Sequence, residues 1–256
     1  MNTMNETRQK RSSSGALWGF MLLAVVSAVV MAGLGSWQVQ RLVWKKDLIA
    51  ERTASIAAPP ITLEGGGVGH SKLPQAWRRV RLSGIYLNDK SLLVGPRSFR
   101  ALPHWRLVTP LRATGGGIVL IDRGWVPDQG KQEALRHVFR PAGLVVVEGI
   151  VRQPTVTGYF APDNVPARDS WFRVAPEKMG LRLALSAVAP FWVVAQGTRR
   201  GDSFPIPDGS VTMPSNNHLQ YVVTWYGLSL CALVIAGFYW RRERQPTSGA
   251  GIRGRV

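Results

Sequence analysis

His218 is the residue whose surroundings could do chemistry. It stands in the run NNHLQYVVTWYGL, at the start of a long uncharged stretch, where Asn216 or Asn217 can cap a helix. Helical spacing puts Tyr221, Val222 and Trp225 on its face. An imidazole at a membrane boundary, above an aromatic and apolar face, has the makings of an axial ligand to a haem iron. The plainer reading is a capping or interfacial histidine that only hydrogen-bonds, and the residues by themselves leave both open. Arginine would complete a haem site, because a guanidinium grips a propionate carboxylate in a bidentate fork. Arg41 is the nearest candidate along the chain and Arg123 a weaker one.

Other chemistries find less to work with. His70 lies in a glycine-rich loop, His104 follows a proline and His137 sits in a charged segment, so all three read as solvated surface side chains. Asp122 and Asp128, in IDRGWVPD, read as turn or salt-bridge groups rather than an acid and a base. The glycine triplets at 65–67 and 115–117 lack the lysine and hydroxyl residue of a phosphate-binding loop, and no nucleophile elbow or HExxH zinc motif occurs. Cys231 is the only cysteine, so no disulfide or thiolate metal site can form within one chain. The six methionines form no cluster that would select Cu(I). An enzyme using His218 as a base would need a partner that the sequence does not place beside it.

The elements that must position His218 are two apolar runs. No charge occurs between Arg11 and Arg41, and Leu17 to Trp37 is apolar over about the 20 residues that a helix needs to cross the hydrocarbon. It exceeds a usual signal-peptide core and no clear cleavage site follows. The second run, from Leu219 to Trp240, ends at Arg241, Arg242 and Arg244, with Tyr239 and Trp240 at the expected interface. The expected organisation is a tail (1–16), a first span (17–37), a central domain (38–218), a second span (219–240) and a basic tail (241–256). Two spans put both termini on one side, and five arginines against one glutamate after the second span assign that side to the cytoplasm.

The formal charge of +17 and isoelectric point near 11.2 would suggest nucleic acid in a soluble chain. Here 24 basic and 13 acidic residues between Arg41 and Asp208 leave +11 on the central domain, mostly as scattered arginine. With two spans this suits anionic head groups of the bilayer or an acidic partner better than nucleic acid.

Between the spans the hydrophobic period changes. Val39 to Ile56 has helical spacing, and Pro59, Pro60 and the first glycine triplet end it. Val80, Leu82 and Gly84 then alternate with Arg79, Arg81 and Ser83, the mark of a half-buried strand. Further strands are expected at Ser91 to Gly95, Trp105 to Leu111, Ile118 to Ile121, Leu144 to Val151 and Phe191 to Ala195, and a helix at Pro176 to Val188. The fold class expected is an α+β membrane protein: two transmembrane helices flanking a β-rich domain, an antiparallel sheet or barrel, with one packed helix.

Several separated segments together resemble the surfeit locus protein family, membrane assembly factors for cytochrome c oxidase. They are GSWQVQRLVWK (with Gly35, Trp37, Gln38, Arg41, Trp44 and Lys45), RRVRLSGIY, VGPR, VTPL, DRGWVP (Arg123 to Pro127), VEGIVRQP and the NNHLQYVVTWYGL run. The order of these pieces, which cover almost the whole chain, is what makes the likeness specific. The resemblance implies a non-enzymatic factor that binds haem a or assists its insertion into the catalytic subunit of the oxidase, with His218 implicated in haem binding. Trp37 and Arg41 of the first motif join His218, Tyr221 and Trp225 as candidate cofactor-binding residues. A haem-independent scaffold that holds an oxidase subunit is the alternative. The implied partners are the catalytic subunit, the bilayer and the enzyme that makes haem a. The short N-terminal tail favours a bacterial inner membrane over a mitochondrial one, with the central domain periplasmic.

Overall fold

A computed structural model describes residues 3–63, 73–128, 131–155, 162–197, 203–207 and 216–244. His70, the glycine triplet at 65–67 and the tail beyond residue 244 lie outside the described residues. The chain divides into two compact units, Met1–Ile49 with Pro214–Val256, and Ala50–Met213.

The first unit contains two long helices. Helix α1 (Thr3–Ala57) runs without a break through the apolar stretch and the more polar one after it, because nothing between Leu17 and Ala57 breaks the helical pattern until Pro59 and Pro60. The last long helix, numbered α4 below, spans His218–Arg244 and carries its arginines in the final turn, where they favour the negative end of the helix dipole. Both contain windows long and apolar enough to cross a membrane, and those windows are almost wholly exposed. A helix in the core of a soluble protein would be mostly covered; these two are candidate membrane spans.

The second unit is built on strands β1 (Ile61–Thr62), β2 (Arg79–Tyr86), β3 (Leu92–Phe99), β4 (Leu102–Ala113), β5 (Ile118–Pro127), β6 (Leu144–Arg152) and β7 (Val188–Ala195). They form one sheet in the order β1-β2-β6-β7-β5-β4-β3, and a further β2–β4 pairing closes five of them into a barrel. All neighbours in that ring are antiparallel except β5 and β7, which run parallel. Gly84 sits where the ring closes, paired with Ala113 on one side and Val145 on the other. A Cβ there would collide with the Arg112 carbonyl oxygen.

Alternation in β2 sends Val80 and Leu82 into the barrel, where they meet Leu111, Val119, Ile121, Val147, Val151, Phe191 and Val193. Strand β5 is buried on both faces, so it reads as a continuous apolar run. Its outer residue Leu120 packs with Leu92, Val94, Val108, Trp171 and Met179, and Met179 comes from α3 (Pro176–Arg182).

Helix α3 is shorter than the spacing to Val188 suggests. Ala184 and Ala187 adopt left-handed backbone conformations, and the Leu185 N–H turns back to the Gly180 carbonyl, so the chain leaves the helix and enters β7 three residues earlier than expected. A short helix α2 (Lys131–Arg136) carries no apolar stripe that would have revealed it. Strand β3 continues past Gly95 through a bulge and turns into β4 at Arg100 and Ala101, both left-handed. Neither residue is a glycine or asparagine, which is why that hairpin escapes a reading based on turn composition.

Candidate functional site

The two long helices pack antiparallel. Trp18 meets Trp240 edge-on at 5.7 Å, Phe20 lies 4.8 Å from Tyr239, and the Ser229 hydroxyl donates to the Ala28 carbonyl at 2.9 Å. Farther along, the Ser36 and Tyr226 hydroxyls are 2.9 Å apart, and Gln38 meets His218 at the end of the contact. The pairing needs small residues at the seam. A Cβ on Gly35 would stand 3.1 Å from the Tyr226 ring, and Ala28, Ser229 and Ala236 are buried beside it. Close backbone approach together with hydrogen bonds between helices is how apolar helices associate where burial from water supplies little.

His218 is the first residue of α4 and is half-buried. Its Nδ1 lies 2.7 Å from Oε1 of Gln38. An amide oxygen only accepts, so Nδ1 donates, and the neutral ring keeps its lone pair on Nε2. Trp225 is half-buried two turns along α4, Val222 is half-buried between them, and Tyr221 is exposed. On α1, Trp37 is exposed and Gln38 is buried, with only 9% of its surface accessible. Arg41 follows one turn later, also exposed, with its guanidinium 4.0 Å above the Trp44 ring. His218 is thus in direct contact with Gln38, whereas Trp37 and Arg41 are neighbours of that residue along α1, with Arg41 turned over Trp44.

A haem iron needs little from the protein, since the porphyrin supplies four nitrogens and one imidazole can complete an axial position. The donor set fits that demand: an oriented ring, a bare Nε2, and aromatic side chains on the same helices. Among the described residues no group of three or more His, Cys, Asp or Glu is placed to hold a bare metal ion. Gln38 stands in the sequence as part of the GSWQVQRLVWK motif and Tyr226 as an aromatic of the second span, and neither is among the site residues expected from it. The available signal was a glutamine three residues after Gly35, at the end of an otherwise uncharged run.

Arg123 belongs to the barrel. It is buried at one end of the interior, donating from Nη2 to the Phe139 carbonyl at 2.6 Å and lying 4.7 Å over the Tyr86 ring. Burial pushes the Tyr86 phenol up to about 12, against the opposing pull of the Arg123 cation. Burial also draws Arg123 below its ordinary value, with Tyr86 acting in the other direction. The second nitrogen, Nη1, is buried without a hydrogen-bond partner among the described residues.

The remaining motif residues hold the barrel together. Asp122 is buried and accepts from Arg106, with Nε at 2.8 and 3.0 Å and Nη2 at 2.6 Å, so it is a salt-bridge group as expected. Asp128 accepts from the Trp105 indole at 2.8 Å. Trp125 is stacked on Phe99 at 4.8 Å, with the Arg106 guanidinium 4.5 Å from its ring. Gly124 has a positive φ, and the Ile206 carbonyl occupies the space that a Cβ would need, so both backbone and packing call for glycine there.

His104 departs from the surface placement expected of it. It is buried in β4, with Nδ1 3.1 Å from the Leu102 carbonyl and its ring edge-on to Phe99. The cause is the unforeseen β3–β4 hairpin, which makes a strand where Pro103 suggested a loop. His137 is exposed and pairs with Glu133 at 2.7 Å, and its hydrogen bond lowers the Glu133 carboxyl. Asn216 does not cap α4 through its amide oxygen, which is buried without a partner among the described residues.

The model of the SURF1 family matches residues 25–230, which takes in the whole barrel and the parts of the two long helices nearest to it in the chain. A SURF1-like protein of Monosiga brevicollis is 29% identical over 248 residues, covering 91% of this chain and 90% of its own length. Surfeit locus protein 1 of Takifugu rubripes is 32% identical, covering 77% and 86%. The protein of that name from Homo sapiens is 30% identical, covering 83% of this chain and 73% of its own.

Proposed function

The chain belongs to the SURF1 family, and from that membership and the His218 geometry we propose that it is a non-enzymatic assembly factor for cytochrome c oxidase that binds haem a. In this reading His218 would be the residue that holds the haem iron. The observation that carries it is the 2.7 Å contact between Nδ1 and Gln38, which leaves Nε2 with the lone pair that a metal requires. His218 would hold a haem through that lone pair, and the haem would supply the iron centre that the oxidase needs.

The chain's own residues do the rest. Tyr221 and Trp225 in the first two turns of α4 and Trp37 within α1 offer aromatic surface, and Arg41, one turn after Trp37, offers a guanidinium for a propionate. Two antiparallel candidate spans, the second ending in Arg241, Arg242 and Arg244, support a membrane placement with both tails on the cytoplasmic side; the setting proposed is a bacterial inner membrane with the barrel periplasmic. The catalytic subunit of the oxidase receives the haem, and the enzyme that makes haem a is the candidate donor.

The test is the absorption spectrum of the protein purified from cells that make haem a. The unaltered chain should carry haem a bands, and His218→Ala should lose most of the iron coordination. Identical spectra would remove His218 as the ligand.

A scaffold that never touches haem is the second reading. It is favoured by Ile85, Leu144 and Val146, apolar residues exposed together on the outer face of β2 and β6. It prevails if His218→Ala leaves the haem content of the oxidase intact while charged substitutions at those three positions abolish co-purification with its subunit. The RGWVP segment is a poor capture surface, since Trp125 is packed between Phe99 and Arg106.

A further inference from the structure

The geometry points to Gln38 as a positioning residue that fixes the tautomer and direction of the His218 ring, so that a bare Nε2 is presented to a metal before any haem arrives. This rests on the ligand reading above and goes beyond it by assigning the ring's orientation to the other helix. Gln38 is buried within the helix pair, where an amide left without partners would be costly. Its Oε1 lies 2.7 Å from Nδ1 of a residue 180 positions away. Such a bond exists only when α1 and α4 are packed in this register, which the Ser36–Tyr226 and Ser229–Ala28 hydrogen bonds and the close Gly35–Tyr226 approach independently hold.

The chemistry follows from which nitrogen carries the proton. With Nδ1–H given to Gln38, Nε2 is unprotonated and its lone pair lies in the ring plane, on the side turned away from Nδ1. Were the imidazole free to rotate, coordination would have to fix both its tautomer and its orientation. The hydrogen bond removes that cost in advance and raises the basicity of Nε2, as partners of this kind do for metal-bound histidines. Gln38 also makes ligation conditional on helix packing, because parting the helices releases the ring.

The test uses the full chain in lipid nanodiscs. In the haem-free protein, nitrogen-15 spectra of the His218 ring, assigned by its loss in His218→Ala, should show a protonated Nδ1 and a bare Nε2. Gln38→Leu should give a mixed or reversed tautomer. Titrated with haem a extracted from an oxidase, Gln38→Leu should bind about ten- to a hundredfold more weakly than the unaltered chain. Gln38→Glu keeps an acceptor, so it should stay near the unaltered affinity and raise the iron–imidazole stretching frequency.

A bare Nδ1 in the haem-free chain overturns the inference. So does a Gln38→Leu protein with unchanged tautomer, affinity and stretching frequency, while His218→Ala still abolishes coordination; in that case the ligand assignment stands alone. If His218→Ala leaves the iron coordination as it was, both fall together.

Discussion

Replacing Asp122 with alanine should leave the Arg106 charge buried without its carboxylate, and the structure allows the cost to be worked out. The two side chains are 6% and 11% exposed, and three N–H···O contacts of 2.6 to 3.0 Å join them. Removing one partner of so enclosed a pair costs about 3–5 kcal/mol, most of it the penalty on the charge that remains. The Gly124 N–H also loses its acceptor at 3.2 Å, for about 1 kcal/mol more. For a unit of this size a loss of about 4–6 kcal/mol lowers the melting temperature by roughly 8–24 °C. The assay is thermal unfolding of the full chain in detergent, followed by near-ultraviolet circular dichroism, which senses Trp125 beside Arg106. A double variant, Arg106→Met with Asp122→Leu, strands no charge and should recover most of the loss. If the double variant melts as low as Asp122→Ala, the loss comes from packing rather than from the charge. If Asp122→Ala costs under about 1 kcal/mol, the pair is not shielded from water.

Two further outcomes follow from the barrel and the helix pair. The Tyr86 phenol titrates near 12 in the folded chain, above its ordinary value of 10.0, so its contribution to stability is complete below pH 10 and is lost as pH rises toward 12. Urea midpoints should fall across that window in the unaltered chain, and Tyr86→Phe should flatten the decline; an equal decline in both would assign it to other groups. In the helix pair, Gly35→Leu forces a side chain into the Tyr226 ring and should part the helices, at about 1–3 kcal/mol for overpacking. With Ala28→Cys and Ser229→Cys as reporters and Cys231 replaced, cross-linking should drop severalfold. Gly33→Leu, which faces open space, should leave the yield alone, and equal losses in the two would sink the proposed seam.

The sequence was most informative where a pattern is local. Two uncharged runs of sufficient length, and alternation at Val80, Leu82 and Gly84, identify the candidate spans and a β-rich domain because hydrophobic period and length depend only on neighbours in the chain. The resemblance carried by the ordered motifs belongs to the sequence too, and the family match agrees with it. His104 shows the limit: its burial depends on the β3–β4 hairpin, whose left-handed turn at Arg100 and Ala101 has no compositional mark.

What the chain's local patterns could not supply is which distant residues meet. His218 was visible as an imidazole at the mouth of an apolar helix, but the direction of its lone pair is set by Gln38, 180 positions earlier, through packing of α1 against α4. Arg123 looked like a candidate for a propionate until closure of the barrel buried it against Tyr86 and the Phe139 carbonyl. Periodicity says which face of an element is apolar, whereas the partner on that face is chosen by shape and hydrogen bonding in three dimensions. Tertiary structure therefore decided the ring's tautomer, the Arg106–Asp122 pair and the closing contact at Gly84, while the sequence by itself determined the two apolar helices, the strand-rich segment between them and the family.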